Sequence, residues 1–153
     1  MKKKENGQKM PKRKRWLLRI MIFCVILIFC WLQNNLLTVT FYNFSCEKWN
    51  NEEAGFRIVQ LSDLHNASFG YGNRHLIDKV KALEPDMIVL TGDLVDANHT
   101  KLEVAGSLVK ELTGICPVYF VDGNHEVWLD EAEKQKLFET LENAGVNVLL
   151  NAC

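Results

Sequence analysis

The chain has no CxxC pair, and its five cysteines, Cys24, Cys30, Cys46, Cys116 and Cys153, are scattered over 153 residues. That argues against a thiolate metal cluster or a dithiol redox motif and leaves unpaired, incidental thiols, or a disulfide among Cys46, Cys116 and Cys153, as the readings. A dinucleotide fingerprint is excluded as well: Gly70-Tyr71-Gly72 begins one, but His75 stands where the third glycine belongs. There is no low-complexity tract or structural repeat. Acidic residues are nearly missing from the front, where Glu5 is the only one in the first nineteen positions, against nine Lys and Arg. The rest of the chain therefore holds nine basic residues against eighteen acidic ones, under a net charge of −1. An acidic body lacks the basic face that neutralises phosphates, so no nucleic-acid partner is expected.

Ile20–Leu32 is an unbroken run of thirteen apolar residues, extended to seventeen by Trp16, Leu17, Leu18 and the interrupting Arg19. As a helix, seventeen residues span roughly 25 Å, close to the thickness of a bilayer core. Arg19 lies near one end, where its stem carries the charge to the headgroups, and Trp16 and Trp31 bracket the run as interfacial aromatics do. Small residues suited to signal cleavage do not follow; Trp31, Leu32, Gln33, Asn34 and Asn35 do. Residues 16–33 are thus expected to be a transmembrane helix or uncleaved signal anchor in contact with the lipid bilayer. Residues 1–15 would form a basic cytoplasmic tail, with everything after the helix extracytoplasmic in a single-pass arrangement.

Residues 34–55 read as a linker, with Leu36–Tyr42 as a possible edge strand and 50–55 as a polar turn. A βα rhythm follows. Strands are expected at Phe56–Leu61, Asp86–Thr91, Pro117–Val121 and Val146–Leu150, and helices at Leu76–Leu83, Leu102–Leu112 and Glu131–Ala144. Near-continuous apolar strands alternating with helices predict an α/β domain with a largely parallel sheet. Each of the first three strands ends in a polar cluster: Ser62-Asp63-Leu64-His65, Gly92-Asp93, and Gly123-Asn124-His125-Glu126. The carboxyl ends of adjacent strands line one crevice, so the three clusters should converge.

Asp63 and His65, two residues apart in extended chain, leave the same face and can hold one divalent ion. Asp93 offers a carboxylate able to bridge two ions, Asn124 a carbonyl oxygen, and His125 an imidazole. Mixed oxygen and nitrogen donors suit Mn, Fe or Zn. Two such ions would bind a phosphate ester and generate hydroxide near neutral pH. Gly92 and Gly123 permit tight turns there. Asn124-His125-Glu126 also fits a cap for the following helix, and Asp96 a turn or cap.

The segments LSDLH (61–65), TGDLVD (91–96) and GNHE (123–126) together resemble the first three signatures of the calcineurin-like metallophosphoesterases, and in particular their membrane-anchored bacterial phosphodiesterase-type branch. The resemblance covers roughly residues 56–150. It implies the N-terminal half of a four-layer α/β/β/α sandwich, preceded here by one transmembrane helix. It also implies two divalent metal ions: Asp63 and His65 on the first, Asp93 bridging, Asn124 on the second. His125 would be catalytic, contacting the phosphate-ester substrate and assisting the leaving group. The family pattern continues with a later metal-binding histidine and a Gly-His-x-His, whereas no histidine follows His125 in this chain. The domain at 56–153 is therefore expected to be C-terminally incomplete. The expectation is a hydrolase of phosphate mono- or diesters at the outer face of a membrane; the rival is a truncated, catalytically inactive membrane protein with a binding role or none.

Overall fold

The structure, a computed structural model, describes residues 11–45 and 55–149. The chain divides into two compact units, 1–40 and 41–153.

The first unit is one helix, α1 (Lys12–Asn35), 24 residues long and so about 36 Å from end to end. It starts after Pro11, whose extended conformation suits the position before a helix, and its sequence contains no acid. It is long and apolar enough to cross a membrane, over Lys12–Gln33. The helix runs four residues further toward the N-terminus than the apolar stretch, taking Lys12–Arg15 into its first turn. The edge strand suggested at Leu36–Tyr42 does not form: residues 36–45 have no regular structure, and Leu36, Phe41 and Tyr42 are exposed. β-Branched and aromatic residues become a strand only when a neighbouring strand takes up their backbone groups, and none of the four described strands does so for residues 36–45. Most of the turn read at 50–55 lies outside the described residues.

The second unit is a four-stranded parallel sheet in the order β1 (Ile58–Leu61), β2 (Met87–Thr91), β3 (Val118–Val121), β4 (Asn147–Val148). Between the strands come α2 (Arg74–Ala82), α3 (Leu102–Thr113), and the pair α4 (Asn124–Trp128) and α5 (Glu131–Asn143). Each helix is dictated locally. In α3, Ala105, Leu108, Val109 and Leu112 recur at helical spacing and are buried. In α5, the Asp130 side chain accepts the Glu133 N–H at the start, and Gly145, with φ +88°, ends it.

Because strand order equals chain order, every crossover steps in the same direction. Right-handed crossovers of that kind deliver their helices to one side of the sheet. Contacts between α2 and α3 and between α3 and α5 confirm a single helical layer. Ile88, Leu90, Val118 and Phe120 point into it and are buried. The alternating residues face the other way: Met87, Val89 and Tyr119 are half-buried, while Ile58 and Val121 are exposed. The result is one sheet and one helical layer, as the N-terminal half of the sandwich requires, with no second layer on the opposite face among the described residues. Cys116 is a free, half-buried thiol whose pKa is raised by burial and, secondarily, by the Asp86 carboxylate; Cys24 and Cys30 are exposed on α1.

Candidate metal centre

The loops after β1, β2 and β3 meet at the carboxyl edge of the sheet. Beyond the ends of β1 and β2 their backbones stay in register, with His65 N–H donating to the Asp93 carbonyl at 2.9 Å and Asn66 N–H to that of Leu94 at 3.1 Å. Asp63, His65 and Asp93 all have positive φ, at 54°, 44° and 52°. Asp, Asn and His tolerate this left-handed region best among residues with a side chain, and such conformations concentrate at functional sites. Backbone sterics and metal-donor chemistry thus select the same residue types at these positions.

The β2 and β3 loops touch through their glycines. A Cβ on Gly92 would lie 2.6 Å from the Gly123 Cα, and a Cβ on Gly123 would lie 2.6 Å from the Asp93 backbone nitrogen. Gly92 also has φ +85°, whereas Gly123 is extended, so Gly123 is required by space alone. The glycines expected to permit turns here chiefly permit two backbones to come together.

Within this frame His65 Nε2 lies 3.9 Å from Asp93 Oδ2 and 4.0 Å from Asp63 Oδ1. The other Asp93 oxygen accepts the His125 N–H at 2.9 Å, which fixes the carboxylate across the β2 and β3 loops. The His65 and His125 rings meet edge-on with centroids 4.4 Å apart, and Trp128 packs on His125 at 5.0 Å. Ligand atoms of His65, Asp93 and His125 all lie within 4.8 Å of one another, close enough to surround one ion. Asp93 is buried, while Asp63 stays open to solvent and accepts a hydrogen bond from Ser62 Oγ. Asn124 is exposed as the first residue of α4, and among the described hydrogen bonds none involves its side chain. The structure therefore brings together Asp63, His65, Asp93 and His125 and leaves Asn124 beside them.

His125 is further constrained from behind. Ala97 N–H donates to its Nδ1 at 3.1 Å, and Asp96 Oδ1 lies 3.6 Å from the same nitrogen. With Nδ1 accepting that hydrogen bond, a neutral ring carries its own proton on Nε2. Asp96 itself closes a turn by accepting the Asn98 N–H at 2.9 Å. That bond, chiefly, holds its carboxyl below the usual range; burial opposes, and the Asn98 amide and the charges on His125 and His99 assist.

Glu126 has a larger part than the capping role its sequence position suggests. It is 0% exposed, yet its partners are all backbone: Oε2 accepts the N–H of Gly123 and of Asp93, each at 2.8 Å, and Oε1 that of Val95 at 3.2 Å. The bond to Gly123 is the foreseeable capping-box contact. The two to the β2 loop join residues more than thirty positions apart, which no local spacing reveals. Its burial, seen only once the chain is folded, makes these bonds necessary, since a charged side chain inside a protein must be answered by donors.

A parallel α/β domain with a carboxylate–imidazole cluster on its strand-end loops is a framework that can hold a divalent ion at the sheet edge. Residues 56–152 match the calcineurin-like phosphoesterase family, and the chain belongs to it. Curated relatives include a transmembrane protein with metallophosphoesterase domain from Danio rerio, 31% identical over 108 residues, covering 69% of this chain and 24% of that protein. An uncharacterized metallophosphoesterase of Bacillus subtilis is 34% identical over 96 residues, 61% of this chain and 36% of its own length. One from Campylobacter jejuni is 28% identical over 156 residues, 97% of this chain and 41% of its own length. The chain thus spans well under half the length of these relatives.

Proposed function

We propose that this chain carries the first part of a two-metal phosphoesterase site and acts on phosphate mono- or diesters at the outer face of a membrane. The observation that carries the reading is the convergence of His65, Asp93 and His125 within 4.8 Å, with Asp63 reaching His65 from the exposed side. Two carboxylates and an imidazole form a hard, mixed oxygen and nitrogen donor set, which fits Mn, Fe or Zn. Asp63, His65 and Asp93 would hold the metal, with Asn124 contributing its carbonyl oxygen to a second ion. Bound divalent ions supply Lewis acidity and lower the pKa of coordinated water. His125 belongs to the cluster by distance but is the poorer ligand. Its Nδ1 already accepts a hydrogen bond from the Ala97 N–H, so a metal on Nε2 would leave the ring with no proton of its own. It is better suited to hold a proton on Nε2 for a phosphate oxygen or a departing alkoxide. Asp96 and Ala97 orient that ring, and Trp128 packs against it.

Titration of the chain with Mn by calorimetry, beside hydrolysis of a chromogenic phosphodiester, tests this reading. Asp93→Asn should weaken Mn binding by at least about 100-fold, beyond what loss of an outer-sphere partner does, and abolish turnover. Retention of parental affinity and turnover by Asp93→Asn would overturn the assignment. A second reading, a non-catalytic membrane protein holding a single ion, is favoured by the exposed position of Asn124. It predicts one weak site and no turnover in the parent chain.

A further inference from the structure

We infer that the first two turns of α1 form a binding site for the phosphate groups of anionic phospholipids, built from Lys12, Arg15 and Arg19 around Trp16. The inference rests on the reading that α1 lies in a membrane. Lys12, Arg15, Trp16 and Arg19 line one shallow open concavity of about 420 Å³. At 100° per residue these four positions fall within a sector of about 100°, while Arg13 and Lys14 project elsewhere. Lys12, Arg15 and Arg19 thus form a ladder along one side of the helix, with Arg13 and Lys14 on its other sides.

The ladder's placement identifies its occupant. Lys12 and Arg19 are about 10 Å apart along the axis, comparable to the polar layer of one leaflet. The cations therefore lie at headgroup depth where the apolar run begins, with Trp16 at the level indole prefers. Guanidinium groups bind phosphate oxygens in a fork, and an ammonium beside them adds a point charge. The local helix electrostatics point the same way. Cations at a helix N-terminus oppose its macrodipole, α1 has no acid in its first turn, and Pro11 gives no side-chain cap. Five cations within Lys12–Arg19 and no acid in α1 leave this end requiring anions from outside the helix. An anionic bilayer surface supplies them at the correct depth, continuous with the apolar face below.

The test uses the full chain with Trp16 as its sole tryptophan (W31F, W49F, W128F), reconstituted into phosphatidylcholine vesicles. A minor fraction of either brominated phosphatidylglycerol or brominated phosphatidylcholine is added, and quenching of Trp16 reports which lipid sits beside it. The anionic lipid should quench severalfold more strongly at low salt. The K12Q/R15Q/R19Q variant should bring the two lipids level, whereas K2Q/K3Q/K4Q should keep the preference. Inorganic phosphate at matched ionic strength should leave the preference intact. Equal quenching by both lipids in the parent overturns the proposal alone. So does a preference lost equally in both charge variants, or one abolished by inorganic phosphate. Equal quenching together with duplex DNA held through the same three cations would assign the patch to nucleic acid instead. Quenching by neither lipid would overturn the membrane reading of α1, and the proposal with it.

Discussion

Glu126 shows how one side chain can hold a site without taking part in its chemistry. Its carboxylate answers three backbone N–H groups drawn from two loops, so removing it leaves two buried donors and one half-buried one without this partner. Each such orphan costs about 1–3 kcal/mol. Glu126→Ala should therefore destabilise the domain by at least about 3 kcal/mol in urea unfolding, while Glu126→Gln, which keeps the volume and one acceptor, should lose about 1–2 kcal/mol. Asp93 should feel the loss as well, because its backbone N–H is one of the three. Mn affinity measured by calorimetry should fall further in the alanine variant than in the glutamine variant.

Among the elements, the junction of the β2 and β3 loops and the two faces of the sheet make opposite demands on substitution. Gly92→Ala places a Cβ against the Gly123 backbone at positive φ and should cost about 2–4 kcal/mol. Gly145→Ala, equally left-handed but with nothing within 4 Å, should cost only about 1 kcal/mol for strain. Likewise Phe120→Ala should cost about 3–5 kcal/mol, because Phe120 is 0% exposed beneath the helical layer. Its neighbour Val121, 37% exposed on the open face, should tolerate alanine at under about 1 kcal/mol. Denaturant midpoints of the two pairs check both contrasts. These elements were legible to different degrees. The strand–helix alternation and the three strand-end clusters follow from hydrophobic period and turn chemistry, and the strands fall within a residue or two of their expected ends. The edge strand at Leu36–Tyr42 was misread because β-branched and aromatic composition does not by itself bring a segment into a sheet. The Glu126 bonds and the contact of Gly92 with Gly123 were invisible because both depend on β3 docking beside β2.

For the whole molecule, the two units imply a division of labour between attachment and chemistry. If α1 crosses the membrane with its basic end inside, protease added to spheroplasts should digest the domain and spare a tag at the N-terminus. Digestion of the tag with protection of the domain would reverse the orientation. The one-directional winding of the sheet has a consequence for how the molecule is made. Each strand can dock as soon as it leaves the ribosome, on the one synthesised just before it, so assembly advances like a zip from β1 onward. Asp63, His65 and Asp93 reach their neighbours once β2 has paired with β1. The nascent site then waits about thirty residues, some seconds of translation at roughly 5–20 residues per second, for Glu126 to arrive and lock it. During that interval the acidic loops stand open on a growing chain, and an ion captured early would hold in place a half-built site that the protein cannot yet secure by itself.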